Sequence, residues 1–182
     1  MIHLVLQAIR NELTSFLTRR LKTDTAQPRV VLSKLTDLGD TALDRLICTL
    51  VKVEQETVRA NVGLRGEPPR VNPPLQLNLL VLISANYRPE NYLEALQALS
   101  AAIGYFQGKA VFTPANTPGL PERIEKVNVE PVELDMGEFG HLWTALGSSH
   151  LPSVLYRLRM ISTTEDLVLE QLSEITAVVE KQ

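Results

Sequence analysis

Apolar side chains recur every three or four residues from the second position onward: Ile2, Val5, Leu6, Ile9, Leu13, Phe16, Leu17 and Leu21, with Arg10, Glu12, Arg19 and Arg20 opposite them. That period gathers the apolar set on one stripe and predicts an amphipathic helix. Asp24 to Pro28 breaks the pattern, because a proline drives the residue before it out of helical geometry, and Val30, Val31 and Leu32 then predict a short strand. Residues 42–60 carry conflicting signals. Leu43, Leu46, Ile47, Leu50 and Val51 keep helical spacing, whereas Ile47, Thr49, Val51, Val53, Thr57 and Val58 are β-branched and favour a strand.

From Asn61 to Pro74 come Gly63, Gly66, Pro68, Pro69, Pro73 and Pro74, which predict a long exposed loop of the kind that usually carries function. The segment LQLNLLVLISANY at 75–87 stops alternating toward its middle, as a strand buried on both faces does, and so belongs at the centre of a sheet. Pro89 suits the first turn of a helix. Tyr92, Leu96, Leu99, Ile103 and Phe106 predict its apolar stripe, with Gly108 as C-terminal cap, while Ala98, Ala101, Ala102 and Gly104 keep part of its surface small enough to approach a sheet closely.

Lys109 to Thr113 predicts a brief strand, and Pro114, Pro118, Gly119 and Pro121 a second loop. Val127 and Val129 alternate with polar neighbours, but Val132 and Leu134 fall in the opposite phase across Pro131, which predicts a bulge or a strand edge there. Asp135 with Glu138 three residues on has the form of a capping box, and Phe139, Leu142, Trp143 and Leu146 form the face of a short helix that stops at Gly147. Val154, Tyr156, Leu158 and Met160 then alternate with Leu155, Arg157, Arg159 and Ile161, as a strand with one buried face should. Past Thr163, Val168, Leu172, Ile175 and Val179 fit a helix while 175–179 would equally extend a sheet. The whole reads as one α+β domain over 1–162 followed by an arm, 163–182.

Composition narrows the function. The 182 residues are 45% hydrophobic and 21% charged with net charge −3, which supports one packed core rather than a disordered tail. With no block of Lys and Arg, nucleic acid and anionic membranes are poor partners. Cys48 is the sole cysteine, so no intrachain disulfide forms and a reducing compartment fits. The apolar opening has no basic residue before it and no small-residue cleavage site after it. The longest aliphatic run, Leu79–Ile83, falls far short of the ~20 residues of a membrane-spanning helix, so a cytoplasmic protein is expected.

Candidate chemistry is sparse. Gly104 with Gly108-Lys109 imitates a phosphate loop, but the spacing is one residue short, Ala110 replaces the magnesium-binding hydroxyl and a helix precedes instead of a strand. Glu138 and His141 stand three apart on a helix, a metal-sharing spacing that needs a second copy the chain lacks, so capping by Glu138 is the better reading. Cys48 could meet His141 or His150 as a nucleophile pair, although a thiol in an apolar run is usually core filler. Tyr105, Phe106 and Trp143 lie on helical stripes and read as core. Arg157 and Arg159 share one strand face and should meet acidic groups in the chain or on a partner. No catalytic residue, metal or cofactor is expected.

The spans LNLLVLISANYRPENYLEALQALSAAIGYFQGKAVFT, 77–113, and LWTALGSSHLPSVLYRLRMI, 142–161, resemble the tail-terminator or cap family of contractile injection systems. The likeness is specific at ISANY leading into a helix, at IGYFQGKAVFT and at the HLWTALG to PSVLYRLRMI junction. With the opening helix and VVLSKLTD it covers nearly the whole chain. The resemblance implies a mixed, mainly antiparallel sheet flanked by helices and assigns 45–60 to a strand. It implies a structural protein, not an enzyme, that forms a homo-oligomer, a hexameric ring, on the end of a phage-tail-like tube. There it would stop polymerisation and join tube protein to sheath protein, with no nucleic acid and no membrane as partner. Relative to larger members the sequence ends at Gln182, soon after the last strand, so a sheath contact made by a C-terminal extension is not expected from these residues.

A tube of stacked rings offers the same unsatisfied face at each step, so growth stops only on a molecule with one matching face and one unlike face. Exposed edges and proline-stiffened loops suit such docking, because proline limits the entropy lost on binding. The 61–74 loop, the 114–122 loop and the tail after Thr163 are therefore assigned to interfaces, with Arg65, Arg70, Asn116, Arg157, Arg159, Glu165 and Asp166 as contact residues. A small cytosolic enzyme built on Cys48 and a histidine, and an assembly chaperone absent from the finished particle, are the alternatives.

Overall fold

The structure, a computed structural model, describes residues 1–21, 29–36, 38–39, 42–56 and 75–162. The 61–74 loop with Arg65 and Arg70, and the 163–182 arm with Glu165 and Asp166, lie outside the described residues.

Helix α1 (Ile2–Arg20) is followed by β1 (Val30–Leu32), β2 (Arg45–Gln55) and β3 (Leu75–Asn86). A 3-10 turn at Pro89–Asn91 leads into α2 (Tyr92–Gly108), and then come β4 (Val111–Phe112), β5 (Ile124–Val132), α3 (Met136–Leu146) and β6 (Ser153–Ser162). The six strands form one sheet in the order β1-β2-β3-β6-β5-β4. β1 runs parallel to β2 and every other pair is antiparallel, so the mixed, mainly antiparallel sheet is present.

The conflict over 42–60 resolves as strand for Arg45–Gln55, and 57–60 lie outside the described residues. β2 pairs with β3 from Arg45↔Asn86 to Gln55↔Leu77, with a bulge between Leu50 and Lys52. Alternation then sends Leu46 and Cys48 to one face and Ile47 to the other. The first face carries α1 and α2 over Leu79, Val81, Ile83, Leu158 and Met160. The second carries α3, whose Trp143 closes over Ile47, Leu82 and Leu155 with help from Leu35 and Ala42. β3 is buried on both faces toward its C-terminal half, as its continuous apolar run requires. β6 departs from the expectation of one buried face: Leu155 and Tyr156 are both buried, because α3 covers the near end of a face that farther along holds the two arginines.

Of the apolar stripe predicted for α2, Leu99 and Phe106 are buried, but Tyr92, Leu96 and Ile103 are not. The buried residues of the helix are Ala95, Ala98, Leu99, Ala102 and Phe106, while Tyr92 is 52% exposed, Leu93 74% and Ile103 42%. Small side chains bring the helix axis close to its neighbours, so α2 lays its alanines, with Leu99 and Phe106, against β3 and α1 and leaves Tyr92, Leu93, Leu96 and Ile103 outward. Gly108 is the last helical residue rather than a left-handed cap, and Lys109 follows in extended geometry at φ −131°.

The phase change across Pro131 is an edge, not a bulge. Pro131 stays in register opposite Tyr156, and the only irregularity of that pair of strands falls between Ile124 and Lys126. Val127 and Val129 point into the first core, while Val132 packs against the second. Val129 N–H donates to the Ala110 carbonyl (2.8 Å) at the β4 side, so Pro131, two residues on, directs its missing N–H to the same side beyond the end of β4. α3 follows its sequence signals. Asp135 Oδ1 accepts from Glu138 N–H (2.7 Å), Glu138 Oε2 accepts from Asp135 N–H (3.1 Å), and Gly147 closes the helix at φ 63°.

Candidate docking surfaces

Of the seventeen residues of α2, Glu94 alone is charged, and the outward face presents Tyr92, Leu93, Leu96 and Ile103. A helix solvated on one side normally shows charge there, and exposed aromatic and aliphatic residues without it are the composition of a buried contact. A groove runs beside this face. Phe16, Arg20 and Leu21 line one side, Leu93, Leu96, Gln97 and Ser100 the other, and the small Ala101 and Gly104 leave its floor open.

At the far end of the helix pair, Lys109 gathers the 113–120 turn. Its Nζ donates to Glu12 Oε2 (2.6 Å) and to the Asn116 carbonyl (2.7 Å), and lies 4.8 Å from the centre of the Phe112 ring. Tyr105 OH donates to the same Glu12 oxygen (2.7 Å). Burial first, and then this carboxylate, hold the Tyr105 phenol well above its usual range. Asn116 is spent on its own loop: Oδ1 accepts from Thr113 N–H (2.9 Å) and Thr117 Oγ1 (2.7 Å), and Nδ2 donates to the Val111 carbonyl (3.2 Å). Thr117 and Leu120 are buried beneath it, leaving Pro118 and Gly119 as the exposed tip.

The second sheet face is polar beyond the reach of α3. Register aligns Glu54, Asn78, Arg159 and Asn128 in one row, and Lys52, Leu80, Arg157 and Glu130 in the next. Arg159 meets an acid of its own chain: Nε donates to Glu56 Oε2 (2.9 Å) and Nη2 to Oε1 (2.5 Å), a two-pronged clamp between β6 and the end of β2. The Glu54 carboxyl is held below its usual range, chiefly by a hydrogen bond from Lys52 and secondarily by the positive charges of Lys52 and Arg157.

The catalytic alternative lacks its geometry. Cys48 is buried in the first core, and desolvation pushes its thiol up to about 12. His150 stacks edge-on to Phe139 and Trp143, each 5.4 Å away, on the opposite face of the sheet, and His141 is exposed on α3. Glu138 is committed to its capping box, and Gly104 and Gly108 are part of a helix whose following lysine is paired with Glu12. Among the described residues no group of three or more His, Cys, Asp or Glu comes together, and no helix is long and apolar enough to cross a membrane.

Sequence reading named Asn116, Arg157 and Arg159 as contact residues; it did not name Glu12 and Lys109, which hold the Asn116 loop, or Glu56, which holds Arg159. Glu12 is the only acid in α1, and Lys109 directly follows a helix with a single charge. An acid standing alone among the arginines of one helix, and a lysine standing alone at the end of another, is the signal that could have marked the pair.

No curated protein matches the chain. Among solved structures, it is similar to the sheath/tube terminator, in the extended state, of the extracellular contractile injection system PVC. The TM-score is 0.56 at 16% identity, over 100% of this chain and 64% of that one. It is also similar to the tube-terminating cap of the anti-feeding prophage, with TM-score 0.52 at 15% identity over 98% of this chain and 60% of the other. At such identities the likeness is one of fold. The chain spans a little under two thirds of the length of both solved chains. The profile of the Pvc16 N-terminal domain matches residues 4–174, and the chain belongs to that family of domains.

Proposed function

We propose that the chain is a structural cap. It assembles as a ring, a hexamer, on the end of the inner tube of a contractile injection system, ends tube and sheath growth, and links the two. Assembly takes place in the cytoplasm, and the ring remains in the finished particle. The observation that carries this reading is membership of the Pvc16 N-terminal domain family over 4–174, supported by a fold shared with two tube-terminating caps. The composition agrees: a protein that acts by fitting needs contact surfaces, and α2 presents Tyr92, Leu93, Leu96 and Ile103 outward with Glu94 as its single charge. Within this proposal Arg159, clamped by Glu56, and Arg157, whose charge acts on Glu54, present a charged sheet face to the tube or sheath. Asn116 shapes a stiff loop with an exposed tip. Arg65, Arg70, Glu165 and Asp166 extend the contacts from segments outside the described residues.

The test is removal of the protein from a producing strain, followed by electron microscopy of the particles. Tubes and sheaths of irregular length are expected, and uniform, unchanged lengths would overturn the proposal. Light scattering of the ring should give about 122 kDa, six copies of a 20.3 kDa chain. Mass spectrometry of purified particles separates a cap, which is present, from a chaperone, which is not.

A further inference from the structure

We propose that the groove between α1 and α2 receives residues 163–182 of a neighbouring copy. The inference deepens the cap reading, and rests on it for the assembly of copies, by naming the contact that joins them.

The acceptor is an open groove of mixed character, in which Phe16, Leu21, Leu93 and Leu96 alternate with Arg20, Gln97 and Ser100, with Gly104 below. A methyl group added at Gly104 would meet nothing within 4 Å, so the groove has room above its floor. Its charge is positive: Arg20 lines it, and Arg19 lies beside it on the same turn of α1. Among the described residues this is a surface fitted to an apolar, acidic segment.

The chain contains one. Residues 163–182 hold Leu167, Val168, Leu172, Ile175 and Val179 for the groove, together with five acids against a single lysine. Glu165 and Asp166, at its start, suit Arg19 and Arg20. Topology favours donation to a neighbour. Ser162, the last residue of β6, lies opposite Leu75 at the start of β3, whereas α2 follows the end of β3, about 40 Å away along a twelve-residue strand. The segment therefore departs from the opposite end of the sheet to the groove. A donor surface that differs from its acceptor makes a head-to-tail contact, the kind that closes into rings.

Disulfide trapping between full-length chains tests this. One chain carries Ser100→Cys in the groove, the other Ser173→Cys, and both carry Cys48→Ala. Mixed under diamide, they should give a cross-linked heterodimer. Gly104→Leu, which fills the groove while favouring the helix, should abolish it. Arg20→Glu should reduce it several-fold, and Glu165→Lys with Asp166→Lys on the donor should restore it. No heterodimer, or a cross-link only within a chain carrying both cysteines, would overturn the inference. Heterodimers from a protein whose deletion leaves particle length unchanged would sink the cap reading and leave this contact standing; length control without heterodimers would do the reverse.

Discussion

Lys109 Nζ lies 2.6 Å from Glu12 Oε2, and through that contact the end of α2 is fastened to the middle of α1 across 97 positions of sequence. The two side chains are only 25% and 19% exposed, so removing either strands the other's charge in a poorly hydrated site. Glu12→Gln and Lys109→Met should each lower the unfolding free energy by about 2 kcal/mol. Urea midpoints at unchanged slope measure this. The double variant should lose less than the sum, since the two changes break one interaction.

The inward alanines and outward Ile103 of α2 make a paired prediction. Ile103→Lys, on the outward face, should leave the midpoint within about 0.5 kcal/mol of the parent, because the side chain already meets water. Ala102→Leu should lose about 1–3 kcal/mol, because Ala102 is fully buried and extra methylenes force the helix off the sheet. The stripe read from sequence places Ile103 inward and so predicts a loss for Ile103→Lys that its exposure contradicts.

Asp44 should be felt at acid pH. Its Oδ1 accepts from Arg88 N–H and Asn91 Nδ2, both at 3.1 Å, and these bonds, the backbone one foremost, hold its carboxyl below the usual range. A depressed carboxylate stabilises the fold above its unfolded-state pKa, and that contribution disappears as pH falls through the folded value. Asp44→Asn keeps an acceptor and tolerates the φ of 55°, so it should flatten the stability profile below about pH 4 while leaving the fold intact. A scan of urea midpoints from neutral to acid pH on both proteins checks the sign.

Cys48 should be silent to thiol reagents. Buried, with its thiol pushed up to about 12, it should release no chromophore from a disulfide reagent at neutral pH in the folded protein. One equivalent should react in denaturant. Rapid labelling of the native protein would refute the burial.

The capping box of α3 should contribute measurably. Asp135→Ala removes the acceptor for Glu138 N–H and should lower stability by about 1 kcal/mol. Gly147→Ala should lose a similar amount, about 1 kcal/mol, from the strain of φ 63°, since a methyl there would sit 3.6 Å from Thr36 Cγ2 without a clash. Trp143, the sole tryptophan, reports α3 through its fluorescence.

Where the physics is local, the chain could be read directly. The period of Ile2 to Leu17, the continuous apolar run of 75–87, the Asp135–Glu138 box and the stop at Gly147 are each settled by neighbours within a few residues, and each element is found in place. Arg159 also needed an acid, and Glu56 supplies it, but nothing near either residue says which acid it would be.

The undecided features were those with two locally acceptable answers. In YLEALQALSAAIGYFQG the polar Glu94, Gln97, Ser100 and Gln107 fall on the side opposite the buried alanines, but large apolar residues flank that buried face on both edges, so the stripe of large residues alone leaves the inward side open. Close packing against β3 and α1 selects the alanines, because larger side chains would hold the helix away. Likewise Pro131 permits either a bulge or an edge, and the answer rests on where β4, a strand of just two residues, happens to end. Hydrogen-bonding preference and side-chain shape act over a few residues and are written in order along the chain. Which surface meets which is set by distances between elements, and those exist only once the sheet has closed.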